Sequence, residues 1–71
     1  MPEMHDIASS YIAAVGYDAA SKELHVRLAK ADETHVYLDV SQIVYDRLLF
    51  SDSKGAFVND VLRRGYQHVV L

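Results

Sequence analysis

The sequence predicts an α+β domain: a three-stranded antiparallel meander that carries two consecutive helices on one face. Two observations support this fold class. Apolar and polar residues alternate with the period of a β-strand in the first half of the chain, and the period then changes to that of an α-helix. The segments between the alternating stretches are short, as in a meander of neighbouring strands. At 71 residues, the chain has room for one domain.

The three strands are predicted over residues 11–17, 22–28 and 34–40, each bounded by polar or small residues. The alternation places one set of side chains against the helices, namely Leu24, Val26, Leu28, Val36 and Leu38. It places the other set on the solvent-facing side of the sheet: His25, Arg27, His35 and Tyr37. Weak alternation over residues 66–71 leaves room for a fourth strand at the C-terminus.

Two helices are predicted between the third strand and this C-terminal segment. Ser41 is a favourable N-cap for the first helix. The apolar residues of that helix recur at roughly helical spacing: Ile43, Val44, Tyr45, Leu48, Leu49 and Phe50. The second helix is predicted to begin at Asp52 or Ser53 and to end at Gly65 in the left-handed conformation. Its apolar stripe consists of Phe57, Val58, Val61 and Leu62.

Composition and charge limit the classes of function. Seven Lys and Arg against ten Asp and Glu give a net charge of −3, which argues against indiscriminate binding to phosphate backbones. The absence of cysteine excludes disulfides and thiolate metal ligands. No apolar run is long enough for a membrane-spanning helix, and the first residues lack a secretory signal, so we expect a cytoplasmic location. Residues 1–8 are interpreted as a loose lead-in and residues 9–71 as the single domain.

The solvent-facing side of the predicted sheet is a candidate surface for nucleic acid. In an in-register hairpin, the rings of His25, His35 and Tyr37 lie beside the Arg27 guanidinium. Several RNA-binding modules stack bases on such a sheet face. With Lys54 as a further cation, these residues form the predicted RNA-binding set. The alternative is an ordinary solvated face, because a dedicated RNA platform has more stacking rings.

The segment Ser53-Lys54-Gly55 is a second candidate site, for an anion. It lies at the predicted start of the second helix, where free N–H groups and the helix dipole favour a negative group. It is not a phosphate-binding P-loop, because the upstream glycine and the preceding strand are missing. The alternative is a helix cap followed by a glycine that permits close backbone packing.

No catalytic set, metal site or cofactor is predicted, and we expect a protein that is not an enzyme. The four histidines do not have the close spacing of metal ligands on one helix: His5, His25, His35 and His68. No combination of nucleophile, base and acid stands out among the remaining side chains. Tyr17, Tyr45 and Phe57 lie among apolar neighbours and are predicted to be structural.

Several short blocks of sequence occur in an order and spacing that is similar to a known family. The blocks are Ser9-Ser10-Tyr11-Ile12-Ala13-Ala14-Val15-Gly16-Tyr17-Asp18, Leu24–Leu28, His35-Val36-Tyr37, Val40, Tyr45 and Ser53-Lys54-Gly55-Ala56-Phe57-Val58-Asn59. Over about residues 9–66 the chain resembles the KTSC domain family. These short domains occur at the C-terminus of some lysyl-tRNA synthetases and as stand-alone proteins of bacteria and phages.

The chain departs from the family pattern in two places. The central block of the family is Tyr-x-Tyr, and its first aromatic position is His35 here. The usual glycine-containing turn before this block is replaced by Ala31-Asp32-Glu33. The resemblance implies the α+β fold, and RNA binding is the function that has been suggested for the family.

Three functions remain open at this stage. The first is a nucleic-acid-binding module that acts on RNA. The second is a protein-interaction or homodimerisation module, because the open edges of a small sheet pair readily with another chain. The third is a bacterial or phage regulator that binds a small phosphorylated ligand at the start of the second helix. RNA binding weakens steeply with salt, whereas an apolar interface does not.

Overall fold

The computed structural model describes residues 2–71 and consists of a five-stranded antiparallel sheet with two helices. The strands are β1 (His5–Asp6), β2 (Ile12–Asp18), β3 (Glu23–Leu28), β4 (Thr34–Tyr37) and β5 (His68–Val70). They lie in the order β1-β2-β3-β4-β5, so that chain neighbours are also sheet neighbours. The α+β class and the meander are confirmed. The C-terminal strand that the sequence left open is β5, and β1 is a strand that was not predicted.

The N-terminal segment belongs to the sheet and partly covers its outer face. β1 pairs antiparallel with β2. A Cβ atom added to Gly16 on β2 would lie 2.6 Å from the Glu3 carbonyl oxygen and 2.7 Å from Met4 Sδ, so this segment passes directly over the glycine. The expectation of a loose lead-in over residues 1–8 is therefore wrong for the strand and for the residues over Gly16, and residue 1 lies outside the described part.

Helix α1 (Gln42–Phe50) begins where the sequence predicts. The Ser41 hydroxyl accepts a hydrogen bond from the Val44 N–H group at 3.4 Å, which satisfies one of the free donors of the first turn. The apolar face is narrower than predicted. Two of its residues are buried, Tyr45 and Leu48, and two of the others are well exposed, Ile43 and Phe50.

Helix α2 spans residues 54–65 in three consecutive stretches: α-helical over Lys54–Phe57, π-helical over Val58–Leu62 and α-helical over Arg63–Gly65. No glycine of residues 2–71 has a positive φ, so the predicted left-handed stop at Gly65 is wrong. The helix ends because Tyr66 is extended, with φ −133° and ψ 144°, and leads directly into β5. None of the helices in the described part of the chain is long and apolar enough to cross a membrane.

A single hydrophobic core lies between the sheet and the two helices. It consists of Ile12, Val15, Leu24, Val26, Tyr37, Val40, Tyr45, Leu48, Val58 and Leu62. The ring of Tyr17 stacks on that of Tyr45 with centroids 5.0 Å apart, and its hydroxyl donates to the Val40 carbonyl oxygen. Phe57 packs against the same core. The predicted structural roles of Tyr17, Tyr45 and Phe57 are therefore confirmed.

Strand β4 presents the opposite faces from those predicted. The register pairs Tyr37 with Leu24 and Val36 with His25. Residues directly opposite one another share a face, so Tyr37 and His35 lie on the helix side and Val36 lies on the outer side. The prediction that Val36 faces the helices, and Tyr37 the solvent, is wrong. The prediction for Leu24 and Val26 of β3 is confirmed, since both are fully buried in the core.

The reversal in β4 has a physical reason. Both alternating sets of β4 contain apolar surface, so the pattern alone does not say which set is inside. A tyrosine ring removes more apolar area from water than a valine, and the helix-covered face excludes more water than the outer face. The strand also ends at Tyr37 rather than at residue 40. The chain turns there because Asp39 has a left-handed φ of 57°.

Candidate functional site

The five residues predicted to bind nucleic acid do not share one surface. Arg27 is exposed on the outer face of the sheet, and His25 on the same face is buried with 5% of its surface exposed. His35 and Tyr37 lie on the opposite, helix-covered face. Lys54 lies at the start of α2. The predicted stacking platform is therefore not assembled, because its rings are divided between the two faces.

The central block His35-Val36-Tyr37 instead contributes to a cluster of rings between β4 and β5. The His35 ring stacks on the His68 ring with centroids 5.2 Å apart and an angle of 9°, and the Tyr37 ring is 4.9 Å from that of His68. Burial raises the pKa of the Tyr37 phenol, and the positive charge of Arg63 partly opposes this shift. The Tyr37 hydroxyl has no hydrogen-bond partner among the described residues. This cluster packs β5 against β4.

A cleft of about 560 Å³ lies between the segment that precedes β2 and the start of α2. Residues 8–11 form one wall, residues 52–56 form the other, and Asn59 lies one turn further along the helix. The structure therefore brings the predicted anion-binding residues together at one concave surface: Ser53, Lys54 and Gly55. A volume of this size is within the range of small-molecule sites.

The first wall is held by local hydrogen bonds around Ser9. The Ser9 hydroxyl oxygen accepts from the N–H groups of Tyr11 and Ile12, at 3.2 and 3.3 Å. The Ser9 N–H group donates to the Ile7 carbonyl oxygen at 3.1 Å. Because the Ser9 oxygen serves as an acceptor in both side-chain contacts, its hydroxyl proton remains a donor. Ser10 is exposed beside it and supplies a second hydroxyl.

The second wall is held by a small network at the start of α2. The Ser51 hydroxyl donates to the Ser53 carbonyl oxygen at 3.0 Å and accepts from the Ser53 N–H group at 3.2 Å. The Lys54 ammonium donates to the Ser51 carbonyl oxygen at 3.0 Å. This contact holds the ammonium near the helix start and leaves two of its three N–H groups for another acceptor. The Ser53 side chain makes no capping hydrogen bond, so its hydroxyl is also available.

The two walls meet at Gly55. A Cβ atom added to this glycine would lie 3.2 Å from Tyr11 Cβ and 3.3 Å from Tyr11 Cδ2, closer than most real contacts of a Cβ atom. The glycine therefore lets the helix start approach the Tyr11 ring. Close packing at Gly55 was one of the sequence interpretations, and the neighbour is Tyr11.

Several hydrogen-bond donors surround the cleft. The Lys54 ammonium has no carboxylate partner, because the ion pairs within residues 2–71 join His25 to Glu23 and His35 to Glu33. The first-turn N–H groups of an α-helix have no acceptor within the helix. The Asn59 amide oxygen accepts from Arg63 at 3.4 Å, which leaves the amide N–H groups as donors. The one acidic side chain of the lining, Asp52, is exposed to water.

Sequence reasoning identified only one wall of this cleft. Ser9, Ser10, Tyr11 and Asn59 were not predicted to be functional, although they belong to the first and last blocks that resemble the KTSC family. That shared membership was the signal that could have found them. No group of three or more His, Asp or Glu side chains among the described residues is placed to hold a metal ion.

Comparisons with known proteins identify the family. The sequence model of the KTSC domain matches residues 8–66. A protein of Tsukamurella paurometabola is 37% identical over 68 residues, which cover 96% of this chain and all of that protein. The crystal structure of a KTSC domain protein from Yersinia pestis superposes with a TM-score of 0.93 at 22% identity, over 100% of this chain and 99% of the other.

The chain therefore belongs to the KTSC domain family. The structural match at 22% identity supports the fold, which both chains share over almost their whole length.

Proposed function

We propose that this protein is a small non-enzymatic binding module that holds a phosphate-bearing ligand in the cleft between residues 8–11 and the start of α2. A small phosphorylated molecule, such as a nucleotide, is the ligand that fits best. The proposal commits to the third of the functions that the sequence left open.

One observation carries the proposal. The first and last blocks through which the chain resembles its family are far apart in the sequence and form the two opposing walls of one cleft. Packing alone accounts for the contact between Gly55 and Tyr11. It does not account for the hydroxyl, ammonium and amide groups of Ser10, Lys54 and Asn59 around an open volume.

The chemistry of the lining favours an oxyanion with several acceptor atoms. Two serine hydroxyls, a lysine ammonium and an amide are all donors, and a phosphate group offers acceptor oxygens in several directions. The ammonium has no carboxylate to neutralise it within the described residues. Long RNA is a poorer fit than a small ligand. The net charge of −3 repels a polyanion at a distance, and the stacking rings predicted for RNA are divided between two faces.

The test is a titration of the protein with three probes, followed by amide chemical shifts in NMR spectra. The probes are inorganic phosphate, adenosine monophosphate and a short single-stranded RNA. We expect the nucleotide to shift the amide signals of residues 8–11 and 53–59. A response to phosphate and nucleotide but not preferentially to RNA supports a small ligand. A response confined to RNA, or shifts that avoid both walls, would overturn the proposal.

Lys54→Ala removes the cationic side chain of the cleft lining. We expect the affinity for the nucleotide to fall by about 1.5–3 kcal/mol, the range for hydrogen bonds to charged groups, while the fold stays unchanged. Lys30→Ala is the matched control, because Lys30 is an exposed lysine outside the cleft lining. Equal losses in the two variants would show that only the overall charge matters and would contradict a site at Lys54.

A further inference from the structure

Strand β5 is the last strand of the sheet, and one of its edges has no neighbour among the described strands. On its other edge it pairs with β4, and the register sets Val69 opposite Val36. The strand is only three residues long and is exposed along its whole length. A free strand edge of this kind is a template for another strand.

The hydrogen bonds to β4 show which backbone groups of β5 point to the free edge. The Leu38 N–H group donates to the Gln67 carbonyl oxygen at 2.9 Å, and the Leu71 N–H group donates to the Thr34 carbonyl oxygen at 2.8 Å. Backbone groups alternate between the two edges of an antiparallel strand. Residues 67, 69 and 71 therefore bond to β4, and the N–H and C=O groups of His68 and Val70 point outward.

These outward groups are placed symmetrically about Val69. In a two-fold antiparallel pair, His68 of one copy lies opposite Val70 of the other, and each such pair exchanges two hydrogen bonds. Val69 then lies on the axis and faces its own counterpart. All four outward backbone groups of each copy gain a partner in this register, with no residue left over.

The side chains along this edge are compatible with a second copy of the same chain. The segment from Tyr66 to Leu71 carries no acidic or basic side chain apart from His68, so the pairing juxtaposes no carboxylates from a protein with a net charge of −3. Three large apolar side chains beside the edge are well exposed: Val69 at 49%, Val70 at 50% and Leu71 at 64%. Pairing through β5 removes part of this surface from water.

The opposite edge of the sheet is less suited to the same role. β1 is two residues long and includes Asp6, with Glu3 just before it. An acidic residue on a short edge strand disfavours addition of another strand, and pairing of two β1 edges brings like charges together. A contact between β1 of one copy and β5 of the next would not close and would build a chain of molecules.

We propose that β5 mediates homodimerisation, through antiparallel pairing of two β5 strands about a two-fold axis at Val69, to form a continuous ten-stranded sheet. The cleft lining at the start of α2 and the strand β5 share no residue. Ligand binding in the cleft and dimerisation through β5 can therefore be tested separately.

Light scattering after size exclusion, over about 1–500 μM protein, tests the dimer. We expect a mass of twice the 8.0 kDa chain at about 100 μM, a concentration at which a micromolar dimer predominates. Hydrogen exchange tests the register. The amides of His68 and Val70 should become protected on dimerisation, whereas those of Val69 and Leu71 are bonded to β4 in either state.

Substitutions at Val69 separate the dimer from a general effect on folding. Val69→Asp places two carboxylates across the axis, where the Cα atoms of such a pair are about 4.5 Å apart, and should give a monomer. Ile43→Asp is the matched control, because it adds the same charge at another exposed apolar position, and it should remain dimeric. Mixing Val69→Asp with Val69→Lys should restore a dimer, since opposite charges then meet on the axis.

Four results would overturn the proposal. The first is a monomer at about 100 μM. The second is a dimer that survives Val69→Asp, which would locate the interface elsewhere. The third is fast exchange of the His68 and Val70 amides in a dimer, because this register requires both to be bonded. Failure of the mixed variants to pair while both remain folded would also contradict the two-fold axis at Val69.

Discussion

The two faces of the sheet exclude water by different means. On the helix side, side chains from β2, β3 and β4 interdigitate with those of α1 and α2 in one continuous core. No helix within residues 2–71 covers the outer side. The N-terminal segment covers the outer side near Gly16. A hollow of about 290 Å³ remains on this side, and residues near both ends of the chain contribute to its lining. That hollow is lined by Pro2, Asp18, Glu23, His25, Val36, Val69 and Leu71.

The comparison shows that burial of a side chain does not identify the main core. Val36 has 4% of its surface exposed and His25 has 5%, almost as little as the residues beneath the helices. The His25 side chain nevertheless has only one polar contact, with Glu23 at 3.4 Å, and its Nδ1 atom has no partner among the described residues. We therefore expect the helix-covered face to dominate stability and the outer face to contribute locally.

The largest effect is expected from Leu24→Ala on the helix side. Leu24 is fully buried, and the deletion should lower the free energy of unfolding by about 2–5 kcal/mol in urea denaturation. The matched pair Val26→Ala and Val36→Ala removes the same atoms from opposite faces of neighbouring strands. We expect the larger loss at Val26. Equal losses in this pair would show that burial on the outer face stabilises the protein as much as burial in the core does.

Gly16→Ala should have the next largest effect, and it tests the cover of the outer face. The added methyl group would meet the Glu3 carbonyl oxygen at 2.6 Å, a backbone atom that moves only with its segment. We expect a loss of about 1–3 kcal/mol, together with faster hydrogen exchange in β1. Gly65→Ala is the control, because nothing lies within 4 Å of its added Cβ atom and its helical backbone suits alanine. An unchanged exchange rate in β1 would mean that the segment does not depend on this contact.

The smallest effect compares two tyrosine hydroxyls on the helix side. Tyr17→Phe removes the hydrogen bond to the Val40 carbonyl oxygen and should cost about 0.5–1.5 kcal/mol. Tyr37→Phe should cost nothing or stabilise the fold, because its buried hydroxyl has no partner to lose. Thermal unfolding of both variants compares their stabilities with that of the unmodified protein. A clear loss of stability in Tyr37→Phe would reveal a partner for that hydroxyl.

Local patterns were sufficient to predict most of the secondary structure. The Ser41 cap predicts the start of α1, and alternation predicts β3, because both depend on neighbouring residues in the chain. β1 was missed because a two-residue strand has no period to detect. For the candidate site, the start of α2 could be identified from Ser53-Lys54-Gly55, since a helix start is a local signal. The opposing wall, residues 8–11, could not be identified from the sequence, because its distance to α2 depends on how β2 packs.

The sequence by itself determined the class of fold, the order of the elements from β2 to α2 and the family of this protein. Each of these depends on the spacing of residue types along the chain, which folding does not alter. The tertiary structure alone decided which face of β4 is buried and that Tyr11 lies against Gly55. It also decided that the outward groups of β5 are those of His68 and Val70. These outcomes follow from competition between side chains for one core and from strand register, and both depend on residues that meet only after the chain has folded.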